Sequence, residues 1–242
     1  MTAFANFPYV VVETSGENAL ATWEELKNAG RGAPVVLGED ELQNLLVPFG
    51  SARLEPVEKI LAAAEAIHFP ADLHKHRRDE YAEAELYFKK IASLADFDET
   101  LLEAPLGDWP AESSYGSGLS VAYDFSTRQP RSTVHIALIP TDDPTAIPAY
   151  MRYGNWNDCP PPAYHVAALR AWRDLYGAEL IGLGADTMNL LVSRKPATRE
   201  EALELARAQY AYCSDIIDQG VGSYRALAAG LMASDWWSFW WD

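Results

Sequence analysis

The chain has 242 residues, of which 49% are apolar and 12% aromatic, enough to bury a core as one large domain or two small ones. Its formal charge of −16 sets it against nucleic acid and anionic membrane, which are bound through clustered Lys and Arg. A basic protein is the partner that such acidity suits. No apolar run approaches the roughly 20 residues that a transmembrane helix needs, and the first twelve residues show neither a basic segment nor a small-residue cleavage pattern. A cytoplasmic location is therefore expected, where the two cysteines, Cys159 and Cys213, would stay reduced.

Val-rich runs at 7–12 and 33–37 predict strands, with a helix between them over 19–28 that stops at Gly30 and Gly32. Acidic residues followed by Leu42, Leu45 and Leu46 predict a helix over 39–46. Pro56 suits a first helical position, and Val57, Ile60, Leu61, Ala64 and Ile67 recur at helical spacing up to His68. Pro70 interrupts, and a second helix is expected over 72–95. His74 and His76 lie two apart there and point away from each other, so the basic patch at 74–80 reads as a solvated face and not as a metal site. Residues 96–118, rich in Pro, Gly and acid, read as a linker or surface loop.

A hairpin of strands at 119–125 and 133–139 follows, closed by turn chemistry over 140–148. His165, Leu169, Trp172 and Tyr176 then form one stripe of a helix ending at Gly177. Strands are expected at 179–183 and 188–192, and Thr198 with Glu201 makes a capping box that opens a helix to about Cys213. A shorter helix over 223–231 leads to a terminal strand, with Trp237, Phe239 and Trp241 on one face and Trp236 and Trp240 on the other. The expected class is α+β, a mixed, largely antiparallel sheet with helices packed on it. The expected division is an N-terminal α/β region over 1–110 and an α+β domain over 111–242.

Chemistry-bearing side chains crowd 152–165, where a thiol, amides, a carboxylate, an imidazole and three aromatic rings fall in one short segment. A nucleophilic reading pairs Cys159 with His165 and lets Asp215 orient the imidazole. The prolines at 160–162 speak against it, because they hold the cysteine extended and roughly 9 Å ahead of the helix that carries His165. A zinc site from Cys159, Cys213, His165 and Asp215 has suitable donors but lacks CxxC or HExxH spacing. No GxxxxGK or GxGxxG loop is present, so no nucleotide cofactor is implied.

The binding candidates are Asn155, Trp156 and Asn157 on one side and Tyr212, Asp215, Asp218 and Gln219 on the other, as two walls of a polar pocket floored by the terminal tryptophans. The bland alternative gives Asp215, Asp218 and Gln219 a capping role between two helices. The functional expectation is a non-enzymatic binding or protein-interaction module, suited to a basic partner. The alternative is a hydrolase-like enzyme built on the Cys159, His165 and Asp215 neighbourhood.

Several motifs act together: the run from Ala149 through Asn155, Trp156, Asn157 and Cys159, then His165, the Tyr176–Leu180 stretch, Tyr212 with Asp215, the Gln219–Gly220 pair, and the Phe239–Asp242 terminus. As a set they resemble a bacterial family described as domain of unknown function 4253, over about the last hundred residues. Pro34–Gly38 resembles the upstream part of longer members more weakly, and Ser214 stands where a proline is expected. The resemblance implies a soluble bacterial protein and carries no catalytic assignment.

Overall fold

The computed structural model describes residues 7–38, 42–50, 54–112 and 118–242, so positions 39–41 of the helix expected at 39–46 lie outside the described residues. Six strands form one sheet in the order β1-β3-β2-β4-β5-β6. They are β1 (Val10–Thr14), β2 (Ala33–Leu37), β3 (Val134–Ile139), β4 (Glu179–Leu183), β5 (Thr187–Leu191) and β6 (Trp236–Trp240). Four pairings are antiparallel, and only β2 with β4 is parallel. The fold is thus α+β with a mixed, mostly antiparallel sheet. Strand β3 lies between β1 and β2, so strands from either side of residue 110 interleave in this sheet.

The helices are α1 (Ala19–Asn28), α2 (Leu42–Leu46), α3 (Val57–Glu65), α4 (Ala71–Tyr87), α5 (Ile147–Met151), α6 (Pro162–Tyr176), α7 (Arg199–Tyr212) and α8 (Tyr224–Ala233). Among the described residues, no helix is long and apolar enough to cross a membrane. Pro162 opens α6 at its first position, where a missing N–H costs nothing, and Gly177 ends it with φ 59°. Thr198 caps α7 by accepting from the Glu201 amide at 3.1 Å, while Glu201 reaches back to the Ala197 amide at 2.8 Å. Several ends differ from the sequence expectation: β1 spans Val10–Thr14 in place of 7–12, and α3 stops at Glu65, short of His68. Pro56 precedes α3 as its cap with ψ 137°, and α4 stops at Tyr87 because Phe88 leaves helical geometry and Lys89 turns left-handed at φ 57°.

The larger departure concerns residues 119–125, expected as a strand. They form a short 3-10 turn at Ser120–Ala122 that lies across the sheet, so β3 pairs with β1 and β2 and not with a hairpin mate. Two local features hold it there. The buried Asn189 on β5 accepts from the Val121 amide at 3.1 Å. Gly182 on β4 leaves room, since a Cβ there would stand 2.6 Å from Val121 Cγ2 and 2.8 Å from Leu119 Cδ1.

Alternation in the strands assigns the two faces. In β2, fully buried throughout, Val35 and Leu37 join the large core while Val36 joins a smaller one under α1, with Trp23, Val121 and Ile136. In β6, Trp237 and Phe239 enter the large core with Trp241 beyond the strand end, and Trp236 packs on the smaller core, as the alternation predicts, whereas Trp240, expected beside Trp236, packs against the large core. Trp172 of α6 stacks on Phe239 with 5.4 Å between ring centroids and meets Trp237 edge-on at 5.8 Å. This aromatic core fixes α6 and the C-terminal strand relative to each other, and the segment 152–161 enters it from one side.

Candidate functional site

Helix α5 ends at Arg152, whose φ of 54° is left-handed. Its guanidinium holds that conformation through Nε and Nη2, which donate to the Glu55 carbonyl at 3.1 and 2.9 Å, and Nη1, which donates to the Tyr150 carbonyl at 2.7 Å. Gly154 at φ 117°, Asn155 at 70° and Asn157 at 44° continue in the same region, which glycine and asparagine tolerate best. Backbone bonds close the reversal: the Cys159 amide donates to the Trp156 carbonyl at 2.8 Å, and the Asn155 amide to the Cys159 and Pro160 carbonyls at 3.2 and 3.3 Å. Such a concentration of unfavourable backbone geometry persists only where surrounding contacts enforce it.

The reversal overturns the separation expected between Cys159 and His165: Cys159 Sγ lies 3.4 Å from His165 Nε2. The prolines do keep the spacer extended, but helix side chains lean back toward the N-terminus, so the imidazole reaches over the first turn of α6 to the thiol. On its other side, His165 Nδ1 is 2.5 Å from the Tyr212 hydroxyl, itself 3.4 Å from Met188 Sδ. The rings of Tyr153, Tyr212 and Trp241 surround the imidazole edge-on with centroids 5.2–5.4 Å away. Asp215 is not the orienting group; Tyr212 occupies that place.

Protonation follows from this burial. His165 is fully buried, and desolvation lowers its pKa to about 3 even though a hydrogen bond with the Pro160 carbonyl favours the charged ring. That carbonyl can only accept, and a Cβ built on Gly154 would lie 1.9 Å from its oxygen and 3.1 Å from Nε2, so oxygen and nitrogen face the same small space. Two proton arrangements satisfy these contacts: Nε2 donates to the Pro160 carbonyl while Nδ1 accepts from Tyr212, or Nδ1 donates to Tyr212, whose hydroxyl in turn donates to Met188 Sδ, while Nε2 faces the Cys159 thiol. Burial and the nearby Cys213 push the Cys159 thiol far up, and burial raises Cys213 to about 12. Cys213 donates its S–H to the Trp240 carbonyl at 2.8 Å. Neither sulfur is a thiolate near neutral pH, so a disulfide-exchange reagent such as DTNB should react with no thiol in the native protein on a timescale of minutes, and with both after guanidinium unfolding.

A second network pins the far side of the turn. Arg77 of α4, only 8% exposed, donates through Nη1 to the Tyr210 and Ala211 carbonyls at 3.3 and 3.0 Å, and through Nη2 to Asp158 Oδ2 at 3.2 Å. The Tyr81 hydroxyl donates to the same Asp158 oxygen. The basic patch at 74–80 is accordingly not a uniform solvated face: Arg77 satisfies the open carbonyl end of α7, a role that favours a cation. His76 stacks on Tyr164 at 4.8 Å. Replacing Arg77 by Met should cost about 3 kcal/mol, measured by urea unfolding, because two helix-terminal carbonyls and Asp158 lose a charged donor together.

The junction after α7 is a π turn over Ile216–Val221. There Asp215 Oδ1 accepts from Gln219 Nε2 at 3.1 Å and Oδ2 from the Asp242 amide at 2.9 Å, while the Tyr210 hydroxyl donates to Asp218 at 3.3 Å. The helix caps come from elsewhere, since Ser223 caps α8 by accepting from the Ala226 amide at 3.3 Å. Among the described residues, no three His, Cys, Asp or Glu side chains are grouped so as to hold a metal ion.

A pocket of about 520 Å³ opens beside the turn. The turn gives it Arg152, Tyr153, Trp156 and Asn157; Trp241 and Asp242 come from the end of the chain. The opposite wall is the segment 44–48 and the β4–β5 turn at Ala185 and Asp186, in place of the anticipated Asp215–Gln219 junction. That junction reaches the pocket only through the bond from Asp242 to Asp215. Neither Asp186 nor Arg77 carried a spacing signal in the sequence, because long-range packing alone brings them here.

Residues 135–242 match the family described as Domain of unknown function (DUF4253), which takes in β3 to β6, the turn and the His165 cluster. No curated protein and no solved structure matches the chain.

Proposed function

We propose that this chain, a member of the DUF4253 family through residues 135–242, is a non-enzymatic binding module whose site is the pocket beside the 152–159 turn. The observation that carries the reading is the turn itself: four residues between 152 and 157 sit at positive φ, locked by Arg152, and the outcome is to present Trp156 and Asn157 at the mouth of a cavity of binding-site size. Half-buried Trp156 is a ring with area left to offer, and the acidity of the chain favours a basic partner.

The contact between Cys159 and His165 is the one observation that favours a hydrolase-like alternative. Its chemistry points the other way. A nucleophilic thiol needs a neighbouring base able to hold its proton, whereas burial makes the imidazole a very weak base, pushes the thiol pKa up, and seals both groups beneath the turn. We assign the pair a structural role, as the floor on which the turn rests.

A thermal-shift screen of chemically diverse compounds tests the proposal. At a concentration of about 100 Kd a ligand of the native state adds roughly 2.7 kcal/mol. The stabilisation should shrink in Trp156→Ala and persist in full in Cys159→Ser. A compound turned over by the wild type and not by Cys159→Ser would replace binding with catalysis.

A further inference from the structure

Resting on that pocket assignment, we infer that the pocket takes a primary ammonium group on a slender alkyl chain, such as the end of a lysine side chain, held between the carboxylates of Asp186 and Asp242 and the hydroxyl of Tyr153.

The charged groups facing the cavity are Arg152, Asp186 and Asp242. Arg152 keeps its positive charge but is anchored away from a ligand, because each of its three guanidinium nitrogens donates to a backbone carbonyl. The carboxylates are not. Asp186 receives a hydrogen bond at one oxygen, from the Thr187 hydroxyl at 2.7 Å, and both Asp186 and Asp242 are exposed. With the carboxylates of Asp186 and Asp242 against the guanidinium of Arg152, the lining has one carboxylate in excess, within a chain of net charge −16.

Tyr153 is the independent sign of a polar ligand. It is 1% exposed, it lines the pocket, and its hydroxyl has no hydrogen-bond partner among the described residues. A buried phenol left in that state is costly, and a group entering the pocket would relieve it. Tyr153 and Asp186 line the same pocket. An ammonium has three N–H donors and no acceptor, which matches two carboxylates and one phenolic oxygen. Trp156, edge-on to Tyr153 with centroids 4.8 Å apart, adds an aromatic ring at which a cation or its alkyl stem can pack. An anion would meet two carboxylates, with the one guanidinium anchored on backbone carbonyls.

Isothermal titration calorimetry on the full chain at low salt tests this with n-pentylamine, the peptide Gly-Gly-Lys-Gly-Gly, and the same peptide carrying Nε-acetyl-lysine. The two amines should bind at one site, and acetylation should weaken the peptide by at least about tenfold, as expected when charge-assisted hydrogen bonds are removed. Asp186→Asn and Asp242→Asn should each weaken amine binding by about tenfold, and Trp156→Ala by about fivefold, with melting temperatures close to wild type for the two Asn variants. Stronger binding of pentylamine than of the peptide would make a small free amine the ligand, and the reverse order a lysine side chain of a protein. Equal binding of the acetylated peptide, lost in Trp156→Ala, would overturn the ammonium and leave the binding pocket standing. Amine binding unchanged in the Asp186→Asn, Asp242→Asn double variant would overturn the site. No binding by any probe would overturn the inference, while the diverse screen would still decide whether the pocket binds.

Discussion

Gly154→Ala should destabilise the chain by about 4 kcal/mol, more than any substitution of an exposed residue. Two costs combine. A φ of 117° lies in a region that side chains with a Cβ rarely enter, worth on the order of 1–3 kcal/mol. The new methyl would also stand 1.9 Å from the Pro160 carbonyl oxygen, a backbone atom that cannot rotate away, so the turn must open. Opening it withdraws that carbonyl from His165 and shifts Cys159 and Trp156 as well. The loss should therefore appear both as a lower urea midpoint and as a weaker response to any pocket ligand. Gly30 supplies the control, since its φ of 63° is also left-handed but nothing lies within 4 Å of an added Cβ. Gly30→Ala should cost about 1 kcal/mol. Equal effects at the two glycines would show that backbone strain alone matters and that the packing of the turn on Pro160 does not.

The comparison with the sequence turns on which interactions are local. Helix α6 could be read because its start at Pro162, its stripe through Trp172 and its stop at Gly177 are encoded within one stretch. The terminal strand could be read because alternation of rings has period two. The 119–125 segment could not, because its apolar residues suit a strand equally well. What decides is Gly182 and Asn189, more than sixty residues away, which admit and pin a 3-10 turn on the sheet face. The site follows the same division. Three consecutive prolines describe the path of the backbone between Cys159 and His165 correctly, yet the side-chain direction and the left-handed turn bring the two groups together. Tyr212 and His165 were both singled out, but their pairing was not legible, since a helix 47 residues downstream must dock before the hydroxyl meets Nδ1. Arg77 was misread for a related reason: a cation in a basic patch looks solvated until another helix ends on top of it.

His165 should make the protein lose stability steeply on mild acidification. Its folded pKa of about 3 lies below the ordinary 6.5, because burial penalises the charged ring. Between those values the unfolded chain binds a proton that the native protein refuses, so the contribution is fully present above about pH 6.5 and falls as pH drops, by roughly 1.4 kcal/mol per unit. From pH 6.5 to 5 the loss is about 2 kcal/mol, and it ends only near pH 3, where the native ring protonates too. His74, also lowered by burial, pulls the same way, while Asp218, raised by burial, opposes it slightly. Asp72, Asp98 and Asp124 are held below the ordinary carboxylate range by hydrogen bonds and act only at lower pH. The informative measurement is therefore a difference. Urea midpoints of wild type and His165→Asn at pH 7.5, 6 and 5 should converge on acidification, because an amide can accept from Tyr212 and donate to Pro160 without titrating. Parallel curves would mean that the imidazole is not the buried neutral base that this packing requires.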